Sequence, residues 1–82
     1  MWEVYIIQSI KFLKYYIGYS HNVEYRLNYY HNRRLNRSTK PYIPYKLILI
    51  EKCKTKSEAL KRERVLKRMK GGNEFKKLIK SA

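Results

Sequence analysis

Cysteine occurs once in the 82 residues, at Cys53. An internal disulfide is therefore excluded, and so is any zinc site built on several cysteines. His21 and His31 add too little for a structural zinc centre. Acidic residues are nearly as scarce: six Asp and Glu stand against twenty Lys and Arg, a net charge of +14. A field of that sign attracts polyanions and repels cations. Long apolar runs are missing, so no stretch reaches the length of a membrane span. The chain opens Met1-Trp2-Glu3, without the charged and apolar segments of a signal peptide. A reducing cytoplasm is the expected location, with Cys53 a small core residue near a strand end.

What is present points to a folded chain. Aromatic residues make up 15% of the sequence, too many for a disordered basic tail. The length allows one domain, expected over residues 1–82, with a thin core that buries about 60% of the unfolded surface. Nucleic acid is the first partner the charge implies, because each neutralised phosphate releases counterions. An anionic membrane would need a basic helix with a free apolar face. The helices read below need those faces for their own core, so no membrane partner is expected.

Trp2 to Gln8 and Tyr15 to Ser20 read as two strands joined by a short connection, an antiparallel hairpin. Val23, Leu27 and Tyr30 are spaced for a helix over Asn22 to Leu35, with Ser20 or Asn22 as its cap. Asn32 to Pro44 reads as a loop carrying Arg33, Arg34, Arg37 and Lys40 and no acid. Tyr45 to Glu51 holds a continuous apolar run, as in a strand covered on both faces. Thr55 and Glu58 have capping-box spacing, which starts a helix at Lys56 that runs to about Lys70 and stops at Gly71. Asn73 can cap a last short helix through Leu78 and Ile79. The expected fold is a small α/β domain of order β-β-α-β-α-α, without repeats or linkers.

Side-chain alternation fixes the faces of the hairpin. Placing Val4 and Ile6 on the same side as Tyr15, Ile17 and Tyr19 makes one apolar face. Tyr5, Tyr16 and Gly18 then share the other. A turn centred near Ile10 and Lys11 sets Tyr5 directly across from Tyr16. Gly18 leaves space there, as a strand glycine does where a ligand or another backbone approaches. Aromatic cross-strand pairs also stabilise sheets without any further role.

Two charged positions give that face a second meaning. On the Lys56 helix, Leu66 lies about 20° to one side of Ala59 and Glu63 about 40° to the other, so Glu63 sits in the apolar arc. A buried carboxylate needs a cation, a metal or a polar cavity, because leaving it unpaired costs several kcal/mol. Arg26 likewise flanks the Val23, Leu27, Tyr30 stripe, whereas Glu24 reads as solvated.

Tyr5, then Tyr16-Ile17-Gly18, then Arg26, then Glu63 on a later helix resembles the GIY-YIG nuclease superfamily, and most closely its small stand-alone members. Val4-Tyr5-Ile6 stands at the first motif, without its glycine, and Tyr16-Ile17-Gly18 is the second motif intact. Val23 to Leu27 is similar to the arginine helix, Ser57 to Glu63 to the glutamate helix, and Lys70 to Ile79 to the tail of the stand-alone group. The resemblance implies a three-stranded antiparallel sheet flanked by helices. It implies divalent-metal-dependent endonuclease chemistry on DNA phosphodiesters, structure-dependent or weakly sequence-specific, in a repair or recombination setting.

By that resemblance Glu63 holds one Mg²⁺ or Mn²⁺, a hard cation suited to oxygen ligands. Arg26 stabilises transition-state charge, and Tyr5 and Tyr16 position or deprotonate the attacking water. Many members carry a histidine four residues after the arginine. Tyr30 takes that place here and His31 follows at five, so the role falls to one of the two. Gly18, Arg33, Arg34, Arg37 and Lys40 are the expected nucleic-acid contacts. The substrate is DNA, branched or single-stranded, with RNA also open and the oligomeric state unspecified. The alternatives are a non-catalytic DNA- or RNA-binding module on the same fold and, more weakly, a protein-binding adaptor.

Overall fold

The computed structural model describes residues 1–22, Leu27 and residues 43–81. Three strands, β1 (Trp2–Ser9), β2 (Tyr15–Ser20) and β3 (Tyr45–Cys53), form one antiparallel sheet of order β2-β1-β3. Two helices follow, α1 (Lys56–Met69) and α2 (Asn73–Lys80). The α/β class and the three-stranded sheet are as the sequence implies. Apart from Asn22 and Leu27, the helix expected over Asn22 to Leu35 lies outside the described residues, as does most of the cationic loop.

The central strand β1 is the most deeply buried element. Val4, Tyr5, Ile6 and Ile7 are each 1% exposed or less, so the strand is covered on both faces. One face packs Val4, Ile6 and Ile17 against Ala59 and Leu66 of α1 and Phe75 of α2. The other holds Tyr5, Ile7 and Tyr45, with Tyr16, Leu27 and Ile43 around them. The apolar run expected to mark a doubly covered strand belongs instead to an edge: Leu47 and Ile50 of β3 are exposed. A register shift opposite Ile6 and Ile7 explains the pattern. It lets the consecutive Ile48 and Leu49 both pack on the helical side. A bulge of this kind adds one residue to a strand and re-aims its side chains.

The helix signals are obeyed at α1. Thr55 Oγ1 accepts from the Glu58 N–H at 3.2 Å, and the Glu58 carboxylate accepts from the Lys54 N–H at 3.3 Å. Gly71 closes the helix with a left-handed φ of 87°. Asn73 differs from expectation: it is the first residue of α2, and Gly72 is the cap, without a side-chain bond. The chain leaves Gly71 for an extended Gly72 and turns helical at once, leaving no residue between for a side-chain cap.

One ion pair ties α1 to the sheet. Arg62 Nε and Nη2 donate to Glu51 Oε1 and Oε2 at 2.6 and 3.0 Å, a two-bonded fork on β3. The Glu51 hydrogen bond holds the Arg62 guanidinium above its usual pKa. Cys53 lies at the end of β3 against the core. Burial pushes its thiol up, and Glu58 and Glu51 add to the effect, so it stays protonated and a poor nucleophile at neutral pH.

Phe75 is the sole buried residue of α2, 1% exposed and edge-on to Tyr15 at 5.3 Å. Phe75→Ala should destabilise the fold by about 3–5 kcal/mol, read as a lowered urea midpoint. A loss below about 1 kcal/mol would show that α2 is dispensable to the core.

Candidate active site

The connection between β1 and β2 sets the geometry of the tyrosine face. Ser9 is fully buried, and its N–H donates to the Lys14 carbonyl at 2.8 Å. Its carbonyl accepts from the Leu13 N–H at 2.9 Å, and its Oγ accepts from the Phe12 N–H at 3.1 Å. Leu13 takes the left-handed conformation, φ 58°, that lets so short a loop return. The loop is therefore Ile10 to Leu13, centred one residue later than the sequence suggested.

That displacement moves the pairing by two residues. Tyr5 stands across from Gly18, and Tyr16 across from Ile7, so the expectation of a direct Tyr5–Tyr16 pair is corrected. Because strand side chains alternate with period two, a two-residue slip changes partners but not faces. Tyr5 and Tyr16 therefore still share the face opposite the helices, as diagonal neighbours. Diagonal positions of this kind lie about 7–8 Å apart, within reach of aromatic side chains.

Gly18 is what admits Tyr5. A Cβ there would stand 2.5 Å from Tyr5 Oη and 2.7 Å from Cζ. The phenol thus lies directly over the glycine, and the space expected for a ligand is filled by Tyr5. The two tyrosines are not equivalent. Tyr5 is 1% exposed, whereas Tyr16 is only partly buried. Tyr16 is the member of the pair that solvent can reach.

Glu63 lies on the buried arc of α1, between Ala59 and Leu66, with its side chain 13% exposed. Its contact among the described residues is Lys67 Nζ, 3.4 Å from Oε1 and one turn later. Since α1 packs on the Val4, Ile6 and Ile17 face, Glu63 stands on the opposite side of the sheet from Tyr5 and Tyr16. Arg62 leaves one flank of the arc for β3, and Glu63 lies on the other flank of the same helix.

A single, largely buried carboxylate with one loose lysine contact suits a hydrated Mg²⁺ or Mn²⁺, which binds few protein oxygens and keeps several waters. No cluster of three or more His, Cys, Asp or Glu is found among the described residues, so a multi-carboxylate cage is not built from them. Arg26, Tyr30, His31, Arg33, Arg34, Arg37 and Lys40 lie outside the described residues. The sequence reading missed Trp2, which stacks on His21 at 3.6 Å between ring centroids, with Tyr19 at 5.8 Å. The aromatic content was the available signal, but strand alternation does not show which ring at a strand end meets which.

The fit of Tyr5 over Gly18 is directly testable. Gly18→Ala should cost about 1–3 kcal/mol by overpacking, measured as a shift in urea midpoint. Combined with Tyr5→Phe, the two changes should be non-additive by at least about 0.5 kcal/mol. Additive effects would show that the phenol does not rest on the glycine.

No curated protein and no solved structure matches the chain. No helix among the described residues is long and apolar enough to cross a membrane. One family model does match, the GIY-YIG catalytic domain, over residues 1–76 of the 82. With that match covering nearly the whole chain, and with its two motif tyrosines on one sheet face, the chain belongs to the GIY-YIG family.

Proposed function

We propose that this chain, acting as one domain, is a divalent-metal-dependent endonuclease that hydrolyses DNA phosphodiester bonds with weak sequence preference. The observation that carries the reading is the catalytic-domain match over a chain that keeps both motif tyrosines on one face. Its exposure makes Tyr16 the phenol that meets the attacking water or the phosphate, and Tyr5 the buried support that fixes the local geometry. Arg26 is assigned to the charge that builds up on phosphorus. Tyr30 or His31 is assigned to proton transfer at the leaving group.

Glu63 would hold the Mg²⁺ or Mn²⁺, which when bound supplies Lewis-acid polarisation of the phosphate. Arg33, Arg34, Arg37 and Lys40 are assigned to the DNA backbone, where they position without reading sequence. A reducing cytoplasm and work in DNA repair or recombination fit a lone, protonated cysteine and a polyanion-seeking charge.

The reading is tested by incubating the pure chain with plasmid, branched DNA and single strands in Mg²⁺ or Mn²⁺. Wild type should cut, Glu63→Ala should not, and Tyr16→Phe should lose on the order of 100-fold or more in rate. Undiminished cutting by Glu63→Ala would sink the catalytic assignment. A second reading, a non-catalytic DNA- or RNA-binding module, is favoured by one observation: Glu63 and the tyrosines stand on opposite sides of the sheet. It requires steeply salt-dependent binding that Glu63→Ala leaves intact, with no turnover in either metal.

The cationic loop has its own test. Replacing Arg33, Arg34 and Arg37 by Ser should weaken binding uniformly across sequences and flatten the salt dependence by about 2–3 in slope. A change in sequence preference instead would mean that the loop reads bases.

A further inference from the structure

On the helical side of the sheet, away from the tyrosine face, an open groove of about 840 Å³ runs between the hairpin and α2. Its size falls within the range of ligand clefts. Five lysines line it: Lys14, Lys70, Lys76, Lys77 and Lys80. They come from three separate segments, the hairpin loop, the end of α1 and α2, and all are exposed. No carboxylate joins them in the lining among the described residues. Lys76 and Lys80 are one turn apart on α2, where like charges destabilise a helix. Lys70, Lys76, Lys77 and Lys80 share the rim, and holding like charges close together is a cost that a bound polyanion removes.

The floor has a different character. Tyr15, Phe75 and Ile79 provide it, with Tyr15 and Ile79 partly open to solvent. A duplex presents phosphate ridges and keeps its bases stacked inside, so it has no use for an apolar floor. An unpaired base has apolar faces that stack on aromatic rings, while its phosphates follow a cationic rim. The turn beneath the groove mouth is open, since a Cβ on Gly71 would meet nothing within 4 Å.

We propose that this groove binds a single-stranded segment of nucleic acid, with phosphates on the lysine rim and unpaired bases against Tyr15 and Ile79. The inference rests on the nucleic-acid reading above and adds to it a strand type and a second surface.

The test uses the full chain in EDTA, so that no strand is cut. Fluorescence anisotropy is read on a labelled oligothymidylate of about 12 nucleotides, a length suited to a single-strand groove. A blunt duplex of equal length is the comparison. Lys70→Ser, Lys76→Ser and Lys80→Ser together should weaken single-strand binding by roughly tenfold or more and flatten its salt slope by about 2. Duplex binding should fall by less than about threefold. A control removes the same charge elsewhere, with Lys52→Ser, Lys54→Ser and Lys61→Ser, and should cost the single strand less than about threefold.

Equal losses in the two triple variants would overturn the groove, because net charge alone would then explain binding. So would a duplex loss as large as the single-strand loss. Loss of sedimentation with phosphatidylserine vesicles, with the single strand unaffected, would assign the groove to a membrane and overturn the proposal. If wild type binds neither nucleic acid, the nuclease reading falls as well. If wild type binds and cuts while the groove variant holds the single strand equally well, the groove alone is wrong.

Discussion

Tyr5 can be buried on β1 only because Gly18 stands opposite it. The central strand is hydrogen-bonded on both sides and covered on both faces, so every side chain on it must find a packed place. On the helical side, Val4 and Ile6 do so by meeting Ala59, Leu66 and Phe75. On the other side, the tip of the Tyr5 phenol reaches over the neighbouring strand at Gly18. A Cβ there would fall 2.5 Å from the Tyr5 oxygen, so any larger residue would force the buried ring to shift. The register that brings Gly18 to Tyr5 is fixed in turn by the bonds around buried Ser9. A helix-packed core and a tyrosine face are thus two consequences of one strand pairing.

Two of the six acids are spent on structure, and a third faces a lysine. Glu58 caps α1, Glu51 anchors Arg62 to β3, and Glu63 faces Lys67. The remaining charge on the described surface is predominantly positive. Uncompensated lysines repel one another, and in a domain with so thin a core that repulsion is a real fraction of the available stability. The Glu51–Arg62 fork and the capped start of α1 hold the helix to the sheet against it.

The sequence was legible where a signal is local or strictly periodic. The strand of Tyr15 to Ser20, the Thr55–Glu58 start of α1 and the left-handed Gly71 are all in place. Faces were readable for the same reason: alternation is insensitive to a slip of two residues. The partner of Tyr5 was not, because loop length depends on the Ser9 bonds and on Leu13 turning left-handed, neither of which composition displays. The apolar run of β3 was misleading, since a bulge spends two of its residues on one face and leaves Leu47 and Ile50 in solvent. Glu63 was correctly placed in the apolar arc of its helix. Which side of the sheet that helix would cover is a tertiary fact that no helical wheel contains.

The edge strand β2 reconciles the separated parts. Tyr15 and Tyr16 are consecutive, so they project to opposite faces, one into the lysine-lined groove and one onto the tyrosine face. Only the thickness of a strand lies between them, and no further described strand pairs outside β2 to wall them apart. On the proposed reading, a flexible polyanion crossing the edge would meet cations and an apolar floor first, and then the partly buried Tyr16 phenol, without the sheet having to open. A rigid duplex cannot bend so sharply over a single strand, since its persistence length is about 50 nm. If the groove binds a single strand as proposed, this edge is where an unpaired stretch would pass from the groove to the tyrosine face.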